Sequence, residues 1–283
     1  MKNRFILQII FFLLIFISNN SNAQEKFDVP YGSNKDIGKY AKINGIKMYY
    51  EEYGKGDPLL LIHGNGADIK SMANQIEYFK SKYRIIVADS RGHGRSELKT
   101  DSLTYNQITS DWEGLVNYLK LDSINILGWS DGGIIGLKMG INKKTKIKKI
   151  VAMGANLRPD TTAVNSWAPE QVRKDIEKFK MMIEKGDTSK DWKLELQLDN
   201  MLVFQPNISH SDVKKINVPV LIMVGDRDII KNEHAVEIFN NLSKGQLCIM
   251  PGINHGAPRN NPLIFNEIAN RFLKEKFDYE TKK

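Results

Sequence analysis

The run Ser123-Ile124-Asn125-Ile126-Leu127 passes directly into Gly128-Trp129-Ser130-Asp131-Gly132-Gly133, and then into the helix-compatible Ile134, Ile135, Leu137 and Met139. A short apolar run, a turn of small residues around a serine and an amphipathic segment together describe a strand that reverses sharply into a helix. A G-x-S-x-G turn at such a junction holds its serine on a strained bend. The hydroxyl then projects from the sheet, and small flanking residues let the turn close. A glycine-rich turn with an incidental serine needs no such context on either side. Ser130 is therefore the candidate nucleophile.

The same strand-then-helix rhythm runs through most of the chain. Apolar runs at Leu59 to Ile62, Arg84 to Ala88, Ile124 to Leu127, Ile147 to Met153, Val218 to Val224 and Gln246 to Met250 alternate with helical patterns. Alternation of this kind predicts an α/β fold, a mostly parallel sheet with helices on both faces. The opening differs: Tyr40 to Ile43, Asn44-Gly45 and Ile46 to Tyr53 predict an antiparallel hairpin, because Asn-Gly suits the type I′ turn. Thr104 and Gln107 spell a capping box before the one-sided repeat Ile108, Trp112, Leu115, Val116, Leu119. Near the C-terminus Asn261 is the expected cap, Pro262 the first turn, and Ile264, Ile268 and Phe272 the buried stripe.

Residues from about 156 to 215 break the rhythm with two helical patterns, Pro169 to Glu184 and Ser189 to Leu202, and no strand between them. A helical insertion between two strands of such a sheet is expected to form a lid. Trp192, Leu196, Leu198, Met201 and Phe204 are expected to form that lid's own core.

Lys2 and Arg4, the apolar stretch Phe5 to Ile17 and the small residues Ser21 and Ala23 have the layout of a signal peptide over residues 1–23, cleaved before Gln24. The apolar stretch is shorter than the roughly 20 residues of a membrane span. An exported protein, periplasmic or secreted, without stable membrane insertion after cleavage, is the expectation, with residues 24–283 as one domain. The net charge of +8 falls to +6 without the leader, which removes two basic residues and no acidic one. The lysines are scattered and lack interleaved aromatics, so no nucleic-acid partner is expected. Cys248 is the single cysteine. It cannot form an internal disulfide, is expected as a buried apolar filler, and leaves stability to a hydrophobic core.

A serine nucleophile needs a base, and the base needs an orienting acid. After Ser130, one apolar run ends in Gly225-Asp226-Arg227-Asp228 and the last in Pro251-Gly252-Ile253-Asn254-His255-Gly256. All three groups then stand past the carboxyl ends of strands, the edge along which open parallel sheets carry their sites. Asp226 abuts its strand and is expected to turn the loop; Asp228 lies further out, able to reach His255. His210 falls in the lid, His234 on a helix surface, and His63 and His93 in glycine-rich loops. The oxyanion of acyl transfer needs backbone N–H donors. Asp131 supplies one, and His63-Gly64-Asn65-Gly66 the other, through Asn65. No H-E-x-x-H or similar spacing is present, so neither a metal nor an organic cofactor is expected.

With these motifs, and with Asp89-Ser90-Arg91-Gly92-His93-Gly94-Arg95-Ser96, the chain resembles the α/β-hydrolase family over essentially residues 24–283. The resemblance implies that Ser130, Asp228 and His255 form a triad and that Asp89 to Ser96 is mainly structural. It implies a serine hydrolase acting on a small-molecule ester through an acyl-enzyme. Acyl transfer, perhydrolysis or lactone cleavage would use the same triad, and a non-catalytic binding module would need none of it. Leu127 to Ile134 and Gly154-Ala155-Asn156 are similar to the valacyclovir hydrolase-like (biphenyl hydrolase-like) branch of that family. This implies that Asp131 also contacts substrate, its carboxylate reading the α-amino group of an aminoacyl ester. Asp131 can equally serve only as an acid at a helix N-terminus.

Overall fold

The structure, a computed structural model, describes residues 27–277, and the leader expected at residues 1–23 lies outside them. Strands β1 (Lys39–Ile43) and β2 (Ile46–Tyr53) form the hairpin, with Asn44 and Gly45 both at positive φ as a type I′ turn requires. There follow β3 (Pro58–Ile62), a 3-10 turn (Ile69–Met72), α1 (Ala73–Phe79), β4 (Arg84–Ala88), α2 (Tyr105–Tyr118), β5 (Ile124–Trp129), α3 (Asp131–Asn142) and β6 (Ile147–Met153). The helical insertion holds α4 (Trp167–Glu184), α5 (Trp192–Phe204) and the short α6 (His210–Val213). The chain returns through β7 (Val220–Arg227), α7 (Asn232–Asn241), β8 (Gly245–Asn254), α8 (Ala257–Asn260) and α9 (Pro262–Lys274).

The eight strands form one sheet in the order β1-β2-β4-β3-β5-β6-β7-β8. The β1–β2 and β2–β4 pairs are antiparallel, and every later pair is parallel. Side chains alternate across a strand, so each central strand feeds two cores. Leu60, Ile62, Ile126, Ile150, Ala152, Ile222 and Val224 point to the side covered by Ile108 and Trp112 of α2, Ile134 and Leu137 of α3, and Ile238 of α7. Leu59, Leu61, Leu127, Val151, Met153, Leu221 and Met223 point to the other side, under Ile76 and Phe79 of α1 and Phe265, Ala269 and Phe272 of α9. The capping box of α2 is formed: Gln107 N donates to Thr104 Oγ1 at 3.1 Å, and Thr104 N donates to Gln107 Oε1 at 3.0 Å.

Four local expectations are corrected. In α9 the buried face is Phe265, Ala269, Phe272 and Leu273, while Ile264 is 41% exposed. A one-residue offset rotates a helical face by about 100°, and the larger Phe265 takes the inward position. Asn261 occupies the N-cap, but its side chain makes no capping bond. His234 is fully buried, not a surface residue, because both ring nitrogens have partners: Leu157 N donates to Nε2 at 2.9 Å, and Nδ1 donates to Glu237 Oε2 at 3.0 Å. The expected lid core divides. Leu198 and Met201 join the main core, Leu196 packs with Val172, Ile176 and Val203, Trp192 stacks on Phe179, and Phe204 is 63% exposed. Cys248 is half-buried against the α9 side as a free thiol.

Candidate active site

Three side chains on three strands meet at one edge of the sheet. Ser130 is the first residue after β5, Asp228 the first after β7 and His255 the first after β8. His255 Nε2 lies 2.9 Å from Ser130 Oγ, and His255 Nδ1 lies 2.6 Å from Asp228 Oδ1. An ionised carboxylate only accepts, so the Nδ1 proton faces Asp228 and leaves Nε2 as acceptor for the serine hydroxyl. Asp226 does not join them: it is exposed, and its Oδ1 accepts from Gly252 N at 2.7 Å, which ties the C-terminal ends of β7 and β8 together. Pairing of Arg227 with Asn254 carries β7 past Asp226, so that Asp226 sits inside the strand and Asp228 at its end.

The backbone explains why these residue types stand here. Ser130 has φ 56° and ψ −118°, a left-handed conformation that disfavours L side chains. Its N–H donates to Met153 O at 2.7 Å, which fastens the bend to β6. A Cβ on Gly128 would come within 2.1 Å of Gly132 O, and one on Gly132 within 2.0 Å of Ile62 O. The two glycines of the turn are thus required by close backbone approach. A Cβ on Gly154 would lie 2.7 Å from His255 Cε1, so the residue after β6 is the floor beneath the imidazole. Trp129 Nε1 donates to His255 O at 2.7 Å and holds the loop from the side.

Burial alone would lower the His255 pKa. The adjacent Asp228 carboxylate outweighs it, with a smaller contribution from Asp131, and the imidazole ends above its ordinary value of 6.5. His63 takes the opposite course: burial, reinforced by His93, pushes it down to about 3. Its Nε2 accepts from Ser90 N at 2.9 Å and its Nδ1 donates to Gly64 O at 2.7 Å, so it shapes the loop as a neutral ring. Asp89 to Ser96 is likewise a scaffold. Asp89 accepts from Ile69 N and Arg95 N, and Arg91 makes a buried two-pronged ion pair with Asp111 at 2.7 and 2.8 Å.

The loop after β3 passes directly over the serine: a Cβ on Gly64 would sit 3.0 Å from Ser130 Cβ. Asn65 follows, and Asp131 N is the first amide of α3, where helical geometry leaves N–H groups without an intrahelical acceptor. Asp131 itself is buried. Its Oδ1 accepts from Tyr105 OH at 2.7 Å, while its Oδ2 is buried without a hydrogen-bond partner among the described residues. Burial raises its pKa to about 6, against the lowering influence of Tyr105, Asn65 and His255. Tyr105 escaped sequence reasoning because nothing in its surroundings distinguishes it from an ordinary first-turn aromatic. Gly154 and Trp129 carried weak signals, as a glycine and an indole at strand ends.

Among the described residues no group of three histidine, cysteine, aspartate or glutamate side chains is placed to hold a metal ion. No helix among them is long and apolar enough to cross a membrane.

A mostly parallel eight-stranded sheet with an antiparallel leading hairpin, helices on both faces and a strand-serine-helix elbow defines the α/β-hydrolase fold, which this chain adopts. The family described as the alpha/beta hydrolase fold matches residues 57–187. The chain is 27% identical to the human serine hydrolase BPHL over 263 residues, which cover 86% of this chain and 88% of that protein. This bears out the biphenyl hydrolase-like resemblance drawn from Leu127 to Ile134. Among solved structures, a bromoperoxidase from Bacillus anthracis is 26% identical, with a TM-score of 0.71 over 84% of this chain and all of that one. MGS-M2, an alpha/beta hydrolase enzyme from a deep-sea metagenome library, has a TM-score of 0.75 at 17% identity, over 86% of this chain and all of that one, and shares the fold.

Proposed function

We propose that this protein is a serine hydrolase that cleaves carboxylic esters of small molecules through an acyl-enzyme on Ser130. The observation that carries the reading is the unbroken chain from Ser130 Oγ to His255 Nε2 at 2.9 Å and from His255 Nδ1 to Asp228 Oδ1 at 2.6 Å. His255 takes the serine proton as Oγ attacks the ester carbonyl, and Asp228 steadies the imidazolium that results. The amides of Asn65 and Asp131 donate to the tetrahedral oxyanion. His255 returns the proton to the leaving alkoxide. Water then enters by the same path and releases the acid.

The unpartnered Oδ2 of Asp131 supports a substrate with a cationic group near the scissile carbonyl, an aminoacyl ester being the simplest. The leader pattern of residues 1–23 supports export to the periplasm or medium, with Gln24 as the mature N-terminus.

The test is stoichiometric labelling of the purified protein by a fluorophosphonate, alongside hydrolysis of chromogenic esters of varied acyl length and charge. Wild type is expected to label and turn over. Ser130→Ala is expected to lose labelling and to fall by about 10³-fold or more in kcat while keeping its fold. Near wild-type turnover in Ser130→Ala would refute the assignment.

A further inference from the structure

Helix α5 of the insertion reaches both residues assigned above to the oxyanion hole, by two separate routes. On the first, Asn65 Nδ2 donates to Leu198 O in the middle of α5 at 3.2 Å. On the second, Gln205, the C-cap residue of α5, grips the start of α2. Its Oε1 accepts from Tyr105 N at 3.2 Å, and its Nε2 donates to Leu103 O at 3.4 Å. Tyr105 N is the first amide of α2 and has no intrahelical acceptor, so the Gln205 side chain supplies what the helix cannot. The Tyr105 hydroxyl then donates to Asp131 Oδ1 at 2.7 Å. Gln197 adds a third anchor from α5, donating from Nε2 to Thr100 O at 3.1 Å.

We infer that α5 sets the oxyanion hole: the side chains of Asn65 and Gln205 are positioning residues that register the amides of Asn65 and Asp131 against Ser130. The inference rests on the serine-hydrolase reading above. These contacts are neutral amide-to-backbone hydrogen bonds, each of modest net strength, so they register α5 without locking it. Oxyanion donors act only within a few tenths of an ångström of their working distance, so a small displacement of either amide weakens the transition state more than the ground state. Leu198 and Met201, buried in the main core, keep α5 seated when one of the amide contacts is removed.

The experiment uses the full chain and the variants Gln205→Ala and Asn65→Ala, both of which retain every backbone amide. Active sites are first titrated with fluorophosphonate. Turnover of p-nitrophenyl acetate per titrated site and inhibition by phenylboronic acid, which mimics the tetrahedral adduct, are then measured. Each variant is expected to lose roughly tenfold in kcat per titrated site with KM within about twofold, part of the roughly 10²–10³ that loss of a whole oxyanion donor costs. Boronate affinity is expected to weaken by the same factor as kcat. A merely structural role would lower melting temperature and the titrated fraction, and would leave kcat per site and boronate affinity unchanged. That result in either folded variant overturns the inference. If wild type neither labels nor turns over, the serine-hydrolase reading fails first and this one with it. Should one variant fail to fold, the other decides.

Discussion

Tyr105 OH donates to Asp131 Oδ1 across 2.7 Å in a space closed to solvent, and Oδ2 of the same carboxylate is left without a partner. One oxygen is thereby spent on the fold, and the other, buried on a carboxylate that Asn65 also approaches, is the acceptor proposed above for a cationic substrate group. A buried unpaired acceptor costs about 1–3 kcal/mol, which a cationic substrate group would recover on binding.

An aminoacyl ester and its N-acetylated counterpart are accordingly expected to differ on wild type. A partly desolvated charged hydrogen bond is worth about 1.5–3 kcal/mol, or roughly ten- to a hundredfold in kcat/KM. Asp131→Ala is expected to erase the preference, with turnover of the N-acetylated ester falling by no more than the roughly tenfold expected for loss of the Gln205–Tyr105–Asp131 route, because its backbone amide remains. Equal kcat/KM for the two esters on wild type would reduce Asp131 to an acid in the first turn of α3.

The two aspartates of the β7 loop separate by function. Asp228→Asn is expected to cost far more in kcat than Asp226→Asn, on the order of 10⁴-fold, because an amide in place of the carboxylate favours the wrong imidazole tautomer. Asp226→Asn loses a charged acceptor for Gly252 N and is expected to stay within a fewfold of wild type. Steady-state kinetics on the two purified proteins decide the matter, and a larger loss at Asp226 would reverse the assignment.

The pH profile follows from His255. The base works only when neutral, and its pKa is raised above 6.5 by Asp228 against the lowering effect of burial. The kcat/KM of a neutral ester is therefore expected to climb through one ionisation on the alkaline side of 6.5 and to fall away in acid. The Asp131 carboxyl, raised to about 6, protonates lower down, so preference for the amine ester is expected to fade as pH drops through that value. Full activity at pH 4 would be incompatible with a histidine base.

Glu237 on α7 holds both ends of the helical insertion. Arg158, just downstream of β6, makes a two-pronged ion pair with it at 2.7 and 2.8 Å, and His210 of α6 and the buried His234 bond to the same carboxylate. The Arg158 guanidinium holds its pKa well below the ordinary 4.5, more than offsetting burial, with the two histidines adding to the effect. A depressed carboxyl stabilises the fold fully above its unfolded value and progressively less as pH falls below it. Glu237→Ala is expected to lower stability by about 1–3 kcal/mol near neutral pH, with a gap that narrows below about pH 4.5. Denaturant midpoints at pH 7 and pH 4 measure this; an unchanged midpoint at pH 7 would show that the clamp contributes nothing.

Much of this protein was legible locally. Strand periodicity located β3 to β7 because central parallel strands are apolar on both faces, and Asn44-Gly45 specified its turn through positive φ alone. The order Ser130, Asp228, His255 was legible because each stands at the end of an apolar run, and parallel strands bring their carboxyl ends to one edge. Tertiary structure decided the remainder. Whether Ile264 or Phe265 of α9 faces inward depends on the surface the helix meets, and whether His234 is exposed depends on Leu157 and Glu237, 77 residues before it and 3 after it. The Asn65–Leu198 and Tyr105–Asp131 contacts span 133 and 26 residues. Periodicity reports which face of an element is apolar, but hydrogen bonds between distant side chains arise only once packing has set the distances.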